Sequence, residues 1–158
     1  MEDLPNPCFC ICGFDMVPPD HSGSKSLPAK LSRPRLQSVY PRNRVFEALS
    51  GMDPFGAVWV TGPAGSGKTT AVNHYLKDRN LACLWYNLDE GDSDIASFFY
   101  YLRWAVKAHF PPDAVVPPVM TPDFFPNPAL YARRVFEKIF ALFASPFAFV
   151  FDDYQEVT

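Results

Sequence analysis

The 158-residue chain has no apolar run approaching the roughly 20 residues that cross a bilayer, which leaves no candidate membrane helix. Its first residues, Met1-Glu2-Asp3-Leu4-Pro5, are acidic where a secretory signal is basic, so a cytoplasmic location is expected. A strong net charge is also missing: the formal value is −3, and no nucleic-acid or membrane partner is demanded. Carboxylates are absent between Asp20 and Glu47, where Lys25, Lys30, Arg33, Arg35, Arg42 and Arg44 fall, and a solvated linker accounts for most of these cations. Cysteine is scarce. Cys8, Cys10 and Cys12 form C-x-C-x-C with His21 as the one nearby fourth ligand, a spacing unlike ordinary zinc patterns, so incidental thiols are expected there. Cys83 sits in an apolar run and reads as a small core residue. What is present is 48% apolar and 16% aromatic residues, the composition of one folded domain.

Residues 1–29 carry Pro5, Pro7, Pro18, Pro19 and Pro28 without helical or strand period and are expected to be an irregular tail. The domain proper is expected over residues 30–158. Val45, Phe46 and Leu49 have helical spacing and stop at Gly51, a natural left-handed cap. Ala57-Val58-Trp59-Val60 predicts a first strand, Lys68 to Asp78 a helix with Val72, Tyr75, Leu76 and Arg79 on one face, and Ala82 to Leu88 a second strand. Asp92 or Ser93 is the expected cap of a helix carrying Ile95, Phe98, Phe99, Leu102 and Val106, ended by Pro111-Pro112. From Pro111 through Pro128 there are seven prolines, which predicts a surface excursion. Asn127 as cap and Pro128 at the first position open a third helix with Ala132, Val135, Phe136, Ile139, Phe140 and Phe143 on its stripe. Ser145-Pro146 stops it, and Phe147 to Phe151 is a nearly continuous apolar strand of the type buried on both faces of a parallel sheet.

Between the first strand and its helix stands Gly62-Pro63-Ala64-Gly65-Ser66-Gly67-Lys68-Thr69, a complete phosphate-binding loop. Glycines let the backbone curl so that amides point at phosphate oxygens, and the helix adds its positive end. In that pattern Lys68 neutralises β- and γ-phosphates and the Thr69 hydroxyl ligates Mg2+. Asp152 and Asp153 follow the last buried strand, the position of a metal-holding acid in nucleotide hydrolases of this type. Asp152 is the expected metal partner opposite Thr69, and Asp153 the group that orients or deprotonates an attacking water. The expected fold is therefore α/β, a P-loop NTPase with a three-layer parallel sheet and flanking helices. Only three strands are assignable, so the sheet is expected to be incomplete.

Lys30-Leu31-Ser32-Arg33-Pro34-Arg35, Pro41-Arg42-Asn43-Arg44, Val60 to Thr70, Trp85 to Asp94 and Phe149-Val150-Phe151-Asp152-Asp153-Tyr154 together resemble the N-terminal ATPase of MalT-like, LuxR-type transcriptional regulators, members of the STAND class with an AAA-like ATPase. The resemblance covers residues 30–158. It implies ATP with Mg2+, a cradle running from Gly62 through Thr70, and Arg42 as the lead-in arginine near the nucleotide. It also implies a further strand between those of the loop and the acidic pair, ahead of which this chain ends, so a domain truncated after the acids is expected. Gln155 departs from it, since many relatives carry His there. No direct DNA binding is expected from these residues.

Two other functions fit the same residues. One is a non-hydrolysing, nucleotide-dependent interaction module or inert remnant that self-associates or docks on a full-length relative through an exposed sheet edge. The other is a small-molecule phosphotransferase, against which the adjacent acids Asp152 and Asp153 count.

Overall fold

A computed structural model describes residues 27–36, 40–52, 56–111, 114, 116–143 and 147–157. Among them are four α-helices, α1 (Asn43–Ser50), α2 (Lys68–Asp78), α3 (Ile95–His109) and α4 (Pro128–Leu142), and two strands, β1 (Ala82–Asn87) and β2 (Phe147–Asp152). The strands pair in parallel, from Ala82 opposite Phe147 to Asn87 opposite Asp152. A parallel pair requires a crossover, and α3 and α4 supply it.

Both strands are apolar on both sides because helices cover both faces. Leu84 and Tyr86 of β1 and Phe147 and Phe149 of β2 join Phe99, Leu102 and Val106 of α3 and Tyr131, Val135 and Ile139 of α4 in one cluster. On the opposite face Trp85, Ala148 and Val150 pack with Leu49 of α1 and Val72, Tyr75 and Leu76 of α2. The result is an α/β arrangement with the sheet in the middle layer.

Several expectations change in detail. Ala57–Val60 carries no strand; only Thr61 forms an isolated bridge. Val58 is buried while Trp59 is 53% exposed, so packing alternates as in a strand, but a ladder needs a neighbouring backbone and none among the described residues runs alongside. The middle layer is accordingly a two-stranded sheet among those residues. Gly51 is right-handed at φ −85°, because the chain leaves α1 through a turn that closes on Glu47 and Leu49 without reversing hand. α3 is capped by Asp94, whose side chain accepts from Ser97 N. Asp92 lies one turn earlier, in a capping box with Asp89 around the short 3-10 helix Glu90–Ser93. Asn127 and Pro128 open α4 as expected, with the Asn127 side chain accepting from Leu130 N. Its buried stripe runs through Tyr131 instead of Ala132, and Phe140 is left 49% exposed.

Leu27 already packs against the core. Of the expected irregular tail over residues 1–29, the last three residues are therefore part of the folded domain, with Ala29 opening a 3-10 helix, whereas residues 1–26, with Cys8, Cys10, Cys12 and His21, lie outside the described residues, as do Pro112 and Ser145-Pro146.

Two cations of the basic stretch are tied down, not solvated. Lys30 Nζ lies 2.7 Å from Asp89 Oδ2 and 3.0 Å from Asp92 Oδ2, and 4.4 Å from the centroid of the Tyr101 ring. The Asp92 side chain is fully buried and also accepts from the Tyr86 hydroxyl. Arg33 donates to Asn73 Oδ1 and to the Asn73 carbonyl, and Asn73 Nδ2 returns a bond to the Pro34 carbonyl. The lead-in segment is thereby fastened to the turn that follows β1 and to the middle of α2.

Candidate phosphate-binding site

The loop curls where glycine permits it. Gly65 has φ +72° and Gly67 φ +76°, left-handed conformations that cost an ordinary residue about 1–2 kcal/mol. Gly67 is also the residue before α2, so the reversal delivers the chain directly into the helix. Among the described residues the Gly65 and Gly67 amides meet no acceptor, and those of Lys68 and Thr69 fall in the first helical turn, where no intrahelical carbonyl is available. Ser66 N is used within the loop, donating to Pro63 O at 3.2 Å. Such a row of donors at a helix start is suited to an anion.

Lys68 Nζ folds back over the loop and donates to Gly62 O at 3.0 Å and Pro63 O at 3.2 Å. Arg42 arrives from the residue ahead of α1. A Cβ placed on Gly67 would lie 3.0 Å from Arg42 Nη2, so the guanidinium rests against the glycine face and the absent side chain makes room for it. Two cations therefore border the loop. Ala64, Gly65 and Thr70 are exposed, whereas Thr69 is half-buried under the loop.

The acids part company at the end of β2. Asp152 is 3% exposed, and its Oδ1 accepts from the Thr69 hydroxyl at 3.2 Å and from Asp153 N at 3.1 Å. Burial pushes the Asp152 carboxyl above the usual carboxylate range; the Thr69 hydroxyl opposes this, and the neighbouring Asp153 charge adds to it. Asp153 adopts φ +57° and is exposed, so the left-handed turn sends the second carboxylate outward as the first points in. The Asp153 carboxylate accepts from Gln155 Nε2 at 3.2 Å. Tyr154 packs edge-on against Trp59, their ring centroids 5.2 Å apart, which ties the turn after the acids to the segment feeding the loop.

Loop, Arg42 and the acidic pair are thus gathered on one side of the molecule, although Thr69 and Asp152 are 83 positions apart. The Gln155 bond escaped sequence reasoning, its only trace being an amide two residues after an acid. No family model and no solved structure matches the chain.

The donor set can be tested against the nucleotide and metal that the motif implies. Thr69 offers a hydroxyl and Asp152 a carboxylate, both hard oxygen ligands of the kind Mg2+ takes. Among the described residues no three His, Cys, Asp or Glu side chains gather to hold a metal by themselves. A cation beside Asp152 would also relieve the cost of its buried charge. The residues fit.

Proposed function

We propose that the chain is an ATP-binding module of the P-loop NTPase type, related to the N-terminal ATPase of MalT-like, LuxR-type regulators, and acting with Mg2+. The observation that carries it is the contact between the Thr69 hydroxyl and the Asp152 carboxylate, made between the first turn of α2 and the end of β2 beside a loop with two left-handed glycines. A simple Gly-rich turn has no reason to bring a buried acid to the hydroxyl that follows its lysine.

In this proposal the loop from Gly62 to Thr70 cradles the phosphates, with the amides of Gly65, Gly67, Lys68 and Thr69 as its donors. Lys68 leaves the carbonyls of Gly62 and Pro63 to neutralise them, and Arg42 adds a second positive charge from the lead-in segment. Thr69 and Asp152 hold Mg2+, which would neutralise charge on the phosphate oxygens. Asp153, outside the buried pair, is the group left to take a proton from water. The proposed setting is cytoplasmic; among the described residues no helix is long and apolar enough to cross a membrane.

Titration with a fluorescent ATP analogue tests the proposal. Lys68→Ala is expected to lower affinity by about 100-fold, the equivalent of roughly 2.7 kcal/mol; unchanged affinity refutes it. Steady-state phosphate release then separates an ATPase from a module that binds and does not turn over.

A further inference from the structure

We propose that the outer side of α4 carries a second ligand site, a groove for a small carboxylate with an aromatic body, which does not depend on the ATP function proposed above. One wall is a single stripe of α4. Tyr131, Arg134, Val135, Lys138 and Ala141 stand three or four positions apart and so line up along the helix, and with Phe124 they border a cavity of about 400 Å3. Ordinary small-molecule sites span roughly 300–1,000 Å3. The facing wall comes from the proline-rich stretch between α3 and α4, and it is pinned from both helices. The Tyr131 hydroxyl donates to Pro118 O at 2.8 Å, and Arg103 Nε of α3 donates to Pro117 O at 2.7 Å. Since α4 covers the face of the sheet opposite to α2, the groove lies in a different layer from the phosphate loop.

The interior favours a ring and the rim favours one negative charge. Phe124 and Tyr131 have ring centroids 4.8 Å apart and planes tilted by 48°, a pair that a flat aromatic ligand would extend. Val135, 3% exposed, adds an apolar surface. At the rim, Glu137 also faces the groove, but its carboxylate is engaged by Arg133 Nε at 2.8 Å. Arg134 and Lys138 have no hydrogen-bond or ion-pair partner among the described residues. Two cations one turn apart are thus left to a ligand, and a carboxylate between them would gain a charge-assisted bond from each. The Glu137 charge disfavours a dianion at the same rim, so a monoanion suits the groove best.

Calorimetric titration with 2-naphthoate, and with 2-naphthylmethanol as its uncharged counterpart, tests the site. Wild-type protein is expected to bind about one equivalent of naphthoate and to prefer it about fivefold over the alcohol, the scale of two exposed charge contacts. In the Arg134→Gln/Lys138→Gln variant the preference should fall below about twofold with the alcohol held as before, and high salt should act on the wild type in the same way. Ala141 is exposed, so Ala141→Trp fills the groove without entering the core and should abolish binding of both compounds. Lys68→Ala should change neither. No saturable binding, a preference retained in the double variant, binding that survives Ala141→Trp, or binding lost in Lys68→Ala each overturns the proposal. Sedimentation velocity without ligand covers the other occupant: a dimer that Ala141→Trp dissolves means that a second copy of the chain fills the groove, and this also overturns it.

Discussion

Replacing Asp152 by Asn separates the acid's two effects, because they have opposite signs. The side chain is 3% exposed, and its Oδ1 accepts from Thr69 and Asp153 N. Asparagine keeps a carbonyl oxygen for both bonds, so the variant removes charge and little else. Without ligand the charge is a burden. Burial raises the Asp152 pKa in the folded protein, and a raised carboxyl pKa means stability that is complete below the unfolded value near 3.8 and lost as pH climbs through the folded value. Asp152→Asn should therefore melt higher than wild type at neutral pH, with the gap closing as pH falls below the ordinary carboxylate range. With Mg2+ and ATP the proposed function predicts that the charge becomes an asset. Loss of a metal-orienting carboxylate commonly costs about 10- to 100-fold in metal affinity, or roughly 1.4–2.7 kcal/mol, whereas ATP binding in EDTA should be nearly unchanged. Thermal melts across pH, paired with Mg2+ titrations at fixed fluorescent ATP, read both effects. A variant that melts lower at pH 7, or that loses equal affinity with and without Mg2+, refutes the assignment of a buried metal-facing acid.

Lys30→Ala should destabilise the fold by about 3 kcal/mol in urea titrations, since it strands the fully buried Asp92 side chain without its cation; a loss under about 1 kcal/mol would show the cluster to be dispensable. The Lys30 charge is opposed by burial, yet its bonds to Asp89 and Asp92 prevail and raise its pKa above 10.5. This contribution is therefore present below that value and fades as pH climbs beyond it. The bond to Lys30 lowers the Asp89 pKa, so its share is lost in acid, as pH falls through the folded value. Gly67→Ala meets both a left-handed backbone and Arg42 Nη2 at 3.0 Å, while Gly65→Ala at φ +72° meets nothing within 4 Å. The two should cost similar stability, about 1–2 kcal/mol, but only Gly67→Ala should also displace Arg42; equal losses of ATP affinity would argue against a nucleotide role for that arginine.

Much of the local structure was legible because it depends on near neighbours. Helix α2 runs from Lys68 to Asp78 as its apolar spacing predicts, and Asn127 with Pro128 announces α4 through a side-chain cap and a preset φ. The position of the α3 cap was not legible, because Asp89, Asp92 and Asp94 are all competent, and the structure shows two of them engaged by Lys30, 59 or more positions earlier. The basic stretch shows the same difficulty. Arg33 looks solvated until Asn73 of α2 is seen to receive it. Strand 57–60 failed for a different reason: its residues have the right pattern, but a strand exists only with a partner.

Sequence by itself determined the curl of the glycine-rich loop, since glycine alone adopts those φ values cheaply, and the double-sided burial of Phe147–Asp152, since its side chains are almost all apolar. Tertiary structure decided what the loop faces. Parallel pairing of β1 and β2 carries Asp152 to Thr69 and leaves Asp153 outside, and that convergence depends on how α3 and α4 return the chain across the sheet. Short-range periodicity encodes elements, because a residue's neighbours set its turn or pleat. It does not encode which distant element will lie alongside, because that is settled by the packing of whole faces.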